Sequence, residues 1–267
     1  ENHRALFTQA GFEVSAYPYY DAATRGVRAG DMLESLRSAP RGTIVVLHAC
    51  CHNPTGGDLT PAQWAQVVEV VRDRGLVAFL DMAYQGFGDG IAEDGAVVGQ
   101  FLAAGVDFLV ASSFSKSFSL YGERVGALSV VCADPQETAR VLSQLKVAIR
   151  TNYSNPPTHG AQVVATVLET PALRALWEEE LGEMRARIRA MRQALADGLR
   201  AAGVTQDLGY ITRQKGMFSY SGLSREQMHR LREEFAVYGL DSGRICVAAL
   251  NEANLPVVVR AIVAVMQ

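Results

Sequence analysis

A layered α/β fold, with a mostly parallel sheet sandwiched by helices and a smaller α+β unit at the C-terminal end, is predicted by three observations. Short apolar runs of strand length alternate with segments of helical spacing through the first half of the chain. One long amphipathic pattern then covers residues 173–200. Beyond it the segments become shorter and mixed. These features divide the chain into a large domain at 1–180 and a small one at 181–267, joined by the long helix.

Thr43 to His48 is a β-branched run and reads as the first buried strand. Pro61 to Arg74 carries Trp64, Val67, Val68 and Val71 at helical spacing, with Pro61 suited to a first helical turn. Leu76 to Leu80 is a second apolar strand and ends at Asp81. Val97 to Ala104 reads as a helix, and Phe108 to Ala111 and Val125 to Val131 as strands. Pro135 to Arg150 and Pro157 to Leu168 read as helices. In the long segment Trp177, Leu181, Met184, Ile188, Met191, Leu195 and Leu199 form one apolar stripe, ended by Gly203. Gly216 to Tyr220, an amphipathic stretch from Arg225 to Phe235, a strand at Arg244 to Ala248 and a terminal helix from Leu255 make up the smaller unit.

The composition excludes several classes. Of 267 residues, 49% are hydrophobic and 20% charged, which suits a globular protein and not a disordered one. A net charge of −3 offers no basic surface for nucleic acid. No apolar run approaches the roughly 20 residues that span a bilayer. Four cysteines are too few for a disulfide framework in a chain of this size, so a reducing, cytoplasmic location is expected. The chain opens at Glu1-Asn2-His3 without an initiator Met or a signal-peptide pattern, and is expected to be cut from a longer protein. Three of the 25 basic residues are lysines, Lys116, Lys146 and Lys215, so lysine-dependent chemistry has three candidates.

Three polar clusters close successive strands: His48-Ala-Cys-Cys-His52-Asn53-Pro54-Thr55-Gly56, Asp81-Met-Ala-Tyr84 and Ser112-Ser113-Phe-Ser115-Lys116. Carboxyl ends of parallel strands are where open sheets bind ligands. Each cluster alone has a plainer reading. His48 and His52 flank two cysteines, but no second ligand pair stands at a zinc spacing, and no metal is expected. Asn53-Pro54-Thr55-Gly56 taken alone is a turn, with a cis Asn-Pro bond as one form of it. Asp81 alone is a helix cap, or a carboxylate paired with a buried cationic nitrogen. Ser113-x-x-Lys116 alone fits an acyl-transfer enzyme with Ser113 as nucleophile and Lys116 as base. That alternative leaves Asn53, Asp81, Tyr84 and Arg124 without roles.

Together, His52-Asn-Pro-Thr-Gly56, Asp81-x-x-Tyr84 and Ser113-Phe-Ser-Lys116 followed by Arg124 resemble the pyridoxal-phosphate enzymes of fold type I. More narrowly, the chain is similar to the class I aspartate and aromatic-amino-acid aminotransferases. Leu120-Tyr-Gly-Glu-Arg-Val-Gly126, Arg150-Thr-Asn-Tyr-Ser-Asn-Pro-Pro157 and Ser242-Gly-Arg244 fit the same pattern. Gly216-Met-Phe-Ser-Tyr-Ser-Gly-Leu223 and Leu231-Arg-Glu-Glu-Phe-Ala-Val-Tyr238 look closest to the tyrosine and aromatic branch.

The resemblance implies transamination of an aromatic amino acid or aspartate with 2-oxoglutarate, using pyridoxal 5'-phosphate in a homodimer. In that frame Lys116 forms the covalent link to the cofactor aldehyde and then carries the proton between substrate and cofactor. Asp81 pairs with the ring nitrogen, and His3 supports Asp81. Asn53 and Tyr84 donate to the ring's phenolic oxygen, with Asn53 also facing the substrate. Ser113, Ser115 and Arg124 hold the phosphate. Arg244 clamps the substrate α-carboxylate, and Arg150 reaches across the dimer to a distal carboxylate. The family's ring-stacking aromatic, a glycine-threonine pair for the phosphate and a tyrosine from the neighbouring subunit have no counterparts after Glu1. The remaining alternative is therefore a truncated, catalytically incompetent fragment of such an enzyme.

Overall fold

The alternating pattern folds, in a computed structural model that describes residues 2–267, into one main sheet with helices packed around it. The elements are α1 (Asn2–Gln9), a short hairpin of β1 (Tyr20–Asp21) and β2 (Gly26–Val27), α2 (Ala29–Ser38), β3 (Ile44–His48), α3 (Pro61–Arg74), β4 (Val77–Met82), α4 (Ile91–Ala103), β5 (Phe108–Ser113) and β6 (Gly126–Val131). There follow α5 (Pro135–Asn152), α6 (His159–Glu169), α7 (Pro171–Ala201), α8 (Gly209–Arg213), β7 (Phe218–Tyr220), α9 (Arg225–Phe235), β8 (Arg244–Cys246), a 3₁₀ turn (Val247–Ala249) and α10 (Leu255–Met266).

The sheet order is β3-β4-β5-β6, with β3, β4 and β5 parallel and β6 antiparallel to β5. Val45 and Leu47 on β3, and Ala78 and Leu80 on β4, are buried, as the apolar runs require. The expected burial fails on β6. It lies at the sheet edge, and Gly126 to Ser129 are exposed because no described element covers them. Exposure extends to α5, none of whose residues is buried.

Helix α3 starts where the sequence sets it. Thr60 accepts from the Gln63 backbone while the Gln63 side chain accepts from the Thr60 N–H, a reciprocal capping box, and Gly75 ends the helix at φ 60°. Its stripe of Trp64, Val67, Val68 and Val71 is buried. Helix α4 begins at Ile91, six residues before the expected Val97. The cause is tertiary: Asp94 is buried and accepts backbone N–H groups of Gly86, Gly88 and Asp89, which fixes the first turn against the preceding loop.

Two apolar clusters hold the molecule. One lies among α2, β3, α3, β4, α4 and β5, and centres on Phe101 and Phe108 with ring centroids 5.4 Å apart. The other lines α7 with Leu181, Ile188, Leu195 and Leu199, and gathers Tyr210, Met228, Val247 and Ile262 of the C-terminal unit together with Tyr84 and Phe87. Trp177 and Met184 of the predicted stripe are partly buried against it. We predict that Phe101→Ala, which empties a fully buried aromatic site, lowers stability by about 3–5 kcal/mol in a urea melt. A loss below about 1 kcal/mol would show that Phe101 does not anchor this cluster.

Candidate active site

Parallel register brings the three polar clusters to one edge. His48 lies opposite Asp81, Asp81 opposite Ala111 and Met82 opposite Ser112, so the chain leaves β3, β4 and β5 at one level. Beyond β3 the Asn53–Pro54 bond is cis, and Gly56 turns at φ 71°. Asp58 braces this turn by accepting the backbone N–H groups of Cys51 and His52 at 2.7 and 2.8 Å. The motif reading gave Asp58 no role, since a carboxylate serving local backbone leaves no spacing signal.

Asp81 is hydrogen-bonded through Oδ2 to His3 Nε2 at 2.7 Å. Burial raises its pKa, but the His3 hydrogen bond and the nearby His48 and His3 outweigh burial, and the net direction is down. Asp81 is thus a partly buried carboxylate held ionised. Behind His3 the ring of His48 follows at 5.1 Å, then His52 at 4.7 Å, stacked on Tyr19 at 4.0 Å. Burial lowers His48 to about 4 and His52 to about 3, so both are neutral at pH 7.

Tyr84 lies three residues beyond Asp81. Its hydroxyl accepts from Asn53 Nδ2 at 3.1 Å, which leaves its own proton free to donate. Burial raises the Tyr84 pKa, so the hydroxyl stays protonated. Asn53 Oδ1 in turn accepts from Arg244 Nη1 at 3.0 Å. Arg244 lies on β8, with its guanidinium carbon 4.6 Å from the Phe218 ring centroid. A residue 191 positions away in sequence thereby joins the Asn53–Tyr84 pair.

Lys116 Nζ sits 4.8 Å from the Tyr84 ring centroid. Burial lowers its pKa, Asp81 opposes that shift and Arg124 adds to it, with the net direction down. Such an amine loses its proton more readily than a solvated lysine, as a nucleophile must. The Lys116 turn is pinned from α7, where Trp177 Nε1 donates to Ser117 O at 2.7 Å and its ring stacks on Phe118 at 4.5 Å. Trp177 was legible only as part of an apolar stripe. Ser115 is buried, and its N–H donates to Ser113 Oγ at 3.2 Å. Among the described residues no hydrogen bond joins Ser113 to Lys116, as a serine-lysine nucleophile pair would need. Arg124 is exposed, in the left-handed region at φ 54°, and donates to Tyr121 O at 3.1 Å.

Arg150 stands apart from this cluster. It is exposed on α5 and donates to Ser154 Oγ at 2.6 Å. Cys50, Cys51 and Asp94 bring ligand atoms within 4.8 Å of one another, but Asp94 already serves three backbone N–H groups.

The cluster combines an ionised carboxylate, an amine with a lowered pKa, two hydroxyl or amide donors, a serine pair at the end of β5, and Arg124 two residues before the strand that pairs with β5. That donor set fits a ligand with a protonated ring nitrogen, an aldehyde, a phenolic oxygen and a phosphate, which describes pyridoxal phosphate. Comparison with known proteins agrees. The family described as "Aminotransferase class I and II" matches residues 1–262. The chain is 60% identical to an aspartate aminotransferase of Pseudomonas aeruginosa over 266 residues, spanning all of this chain and 67% of that protein. It is 56% identical to the aromatic-amino-acid aminotransferase of Escherichia coli, again over 67% of the relative's length. The structure of an aromatic-amino-acid aminotransferase from Burkholderia pseudomallei, covalently bound to pyridoxal phosphate, superposes with a TM-score of 0.98 at 65% identity, covering 100% of this chain and 67% of that one. The chain therefore belongs to the class I and II aminotransferases, which are pyridoxal-phosphate-dependent enzymes.

Proposed function

We propose that the chain moves the amino group of an aromatic amino acid or aspartate to 2-oxoglutarate, with pyridoxal phosphate held by Asn53, Asp81, Tyr84, Ser113, Ser115, Lys116 and Arg124. The observation that carries this reading is the convergence of Lys116, Tyr84, Asn53 and Arg244 beside Asp81. Bound pyridoxal phosphate supplies the carbonyl that takes up the amino group and the ring that absorbs the resulting electron pair. Asp81, kept ionised by His3, holds a proton on the ring nitrogen. Tyr84, whose hydroxyl already accepts from Asn53, donates to the phenolic oxygen. Lys116 Nζ, an amine with a lowered pKa, would be the group that takes and returns the proton at the substrate Cα. Arg244 meets the α-carboxylate with its planar fork.

Substrate range follows from Arg150. Its exposure on α5 supports a role toward the site of a neighbouring subunit in a cytoplasmic homodimer, where it would meet a distal carboxylate. We also propose the division at residue 180, with residues 181–267 as the small domain that carries Arg244. Arg150→Ala is expected to lower kcat/KM for aspartate and 2-oxoglutarate by about 10–100-fold, the worth of a charge-assisted hydrogen bond, with much less effect on phenylalanine or tyrosine. Equal losses for both substrate classes in a coupled transamination assay would remove Arg150 from the distal site.

A further inference from the structure

Arg192 is the one charged residue on the inward stripe of α7 that is fully buried, at 2% exposure. Nη1 donates to Ile211 O at 3.0 Å, while Nη2 lies within reach of Lys215 O at 3.3 Å, Gly216 O at 2.8 Å and Phe218 O at 2.6 Å. All four acceptors are backbone carbonyls, and among the described residues no carboxylate bonds to the guanidinium. Burial lowers the Arg192 pKa to about 10, only partly offset by the nearby Asp58 carboxylate, to which it makes no hydrogen bond, and an apolar side chain would fill the same space more cheaply. The guanidinium instead fixes a backbone path from Ile211 to Phe218.

That path forms one wall of the site. Lys215 N–H donates to Gly56 O at 2.7 Å, tying it to the turn that carries Asn53. The fit there has no slack. A Cβ on Gly216 would lie 2.5 Å from Cys51 Cβ, and a Cβ on Gly56 would lie 2.6 Å from Phe218 O. Downstream, Met217 O accepts from Val247 N–H at 2.8 Å, and β7 pairs with β8 so that Tyr220 lies opposite Arg244. The Phe218 ring lies beside both Arg244 and Tyr84.

We propose that Arg192 is a positioning residue of the substrate-carboxylate site: from behind the 211–218 segment it presses that segment onto the Asn53 turn and so sets Arg244 against Asn53. Arg192 touches neither cofactor nor substrate. The inference rests on the transamination reading above, in which Arg244 receives the α-carboxylate. Lysine cannot replace it, because one ammonium cannot span the Ile211, Gly216 and Phe218 carbonyls as a planar fork does.

The test compares Arg192→Lys, Arg192→Met and Gly216→Ala with Arg244→Lys as a control. Gly216→Ala displaces the same segment from the opposite face, by wedging a Cβ against Cys51. The readouts are KM and kcat for aspartate and phenylalanine, succinate affinity by calorimetry, the pH midpoint of the visible absorbance band of the cofactor-loaded protein, and Tm without cofactor. Misplacing a contact by a fraction of an ångström is expected to raise KM and the succinate Kd about tenfold in Arg192→Lys and Gly216→Ala, with a smaller fall in kcat. The absorbance midpoint should move as Asn53 shifts against Tyr84. A lowered Tm with KM, Kd and midpoint at wild-type values in both variants would overturn the proposal, since a purely structural arginine predicts that result. If Arg244→Lys raises KM and these two variants do not, the proposal alone fails. Should Arg244→Lys also leave KM unchanged, the reading of Arg244 as carboxylate clamp fails first.

Discussion

Lys116→Ala is expected to lower transamination by at least about 10⁴-fold, since it removes at once the nucleophile and the group that moves the proton. Arginine at this position is expected to fare no better, because a guanidinium stays protonated at any working pH. The variant should still take up pyridoxal phosphate without a covalent bond, through Asp81, Arg124 and the serine pair. Stopped-flow and steady-state assays with aspartate and phenylalanine measure the loss. Turnover within about tenfold of wild type would take Lys116 out of the mechanism. The other two lysines make poor substitutes. Lys146 lies on α5; burial alone would lower the Lys215 pKa, but its ion pair with Asp89 and the nearby Asp58 and Asp94 outweigh that, so the net direction is up and Lys215 stays protonated.

Asp81→Asn is the second large effect. The amide fills the same space and can still hydrogen-bond, but it carries no charge to hold a proton on a ring nitrogen. Loss of one preorganised electrostatic contact of this kind costs about 10²–10³-fold in kcat, and KM should change little because Asp81 does not meet the substrate. His3→Ala, which leaves the carboxylate in place, should cost less. The substitution also carries a pH signature. A carboxyl whose folded pKa is depressed adds stability above its unfolded value, near pH 3.9, and loses it as pH falls through the folded value. Asp81→Asn should therefore narrow the stability difference between pH 6 and pH 3 in apo-protein melts. An unchanged kcat in the variant would show that Asp81 does not hold the ring proton.

Much of this was legible in the chain because local and tertiary demands coincide. The β3, β4 and β5 runs are apolar, with alternate residues such as Val45, Leu47, Ala78 and Leu80 buried and those between them partly covered, and Thr60-Pro61 marks the start of α3 by its own capping chemistry. The polar clusters stand out because each follows directly on such a run. Elements set by tertiary contacts were not legible. The β1–β2 hairpin has two residues a strand, α1 buries none of its residues and α8 has only five, whereas α2 does carry Met32, Leu33 and Leu36 at helical spacing. The early start of α4 depends on Asp94, which reads as a solvated first-turn acid until the loop of Gly86 to Asp89 folds over it. Strand direction is equally hidden, so β6 looked like the other strands although it runs the opposite way at an exposed edge.

The site shows the same division. Asn53, Asp81, Tyr84 and Lys116 announce themselves by motif, whereas Asp58, Trp177 and Arg192 act on backbone carbonyls and amides, and such partners leave no spacing in a sequence. One arginine among so many is distinguished only by where it is buried.

The central claim is that this cluster builds its chemistry on Lys116. It is tested most directly by mixing the protein with pyridoxal phosphate, reducing with borohydride and locating the pyridoxyl group by peptide mass spectrometry. With three lysines in the chain the map has no ambiguity. The account predicts label on Lys116 alone, lost when an amino-acid substrate is added before reduction. Label spread over Lys116, Lys146 and Lys215, or confined to either of the last two, would contradict it.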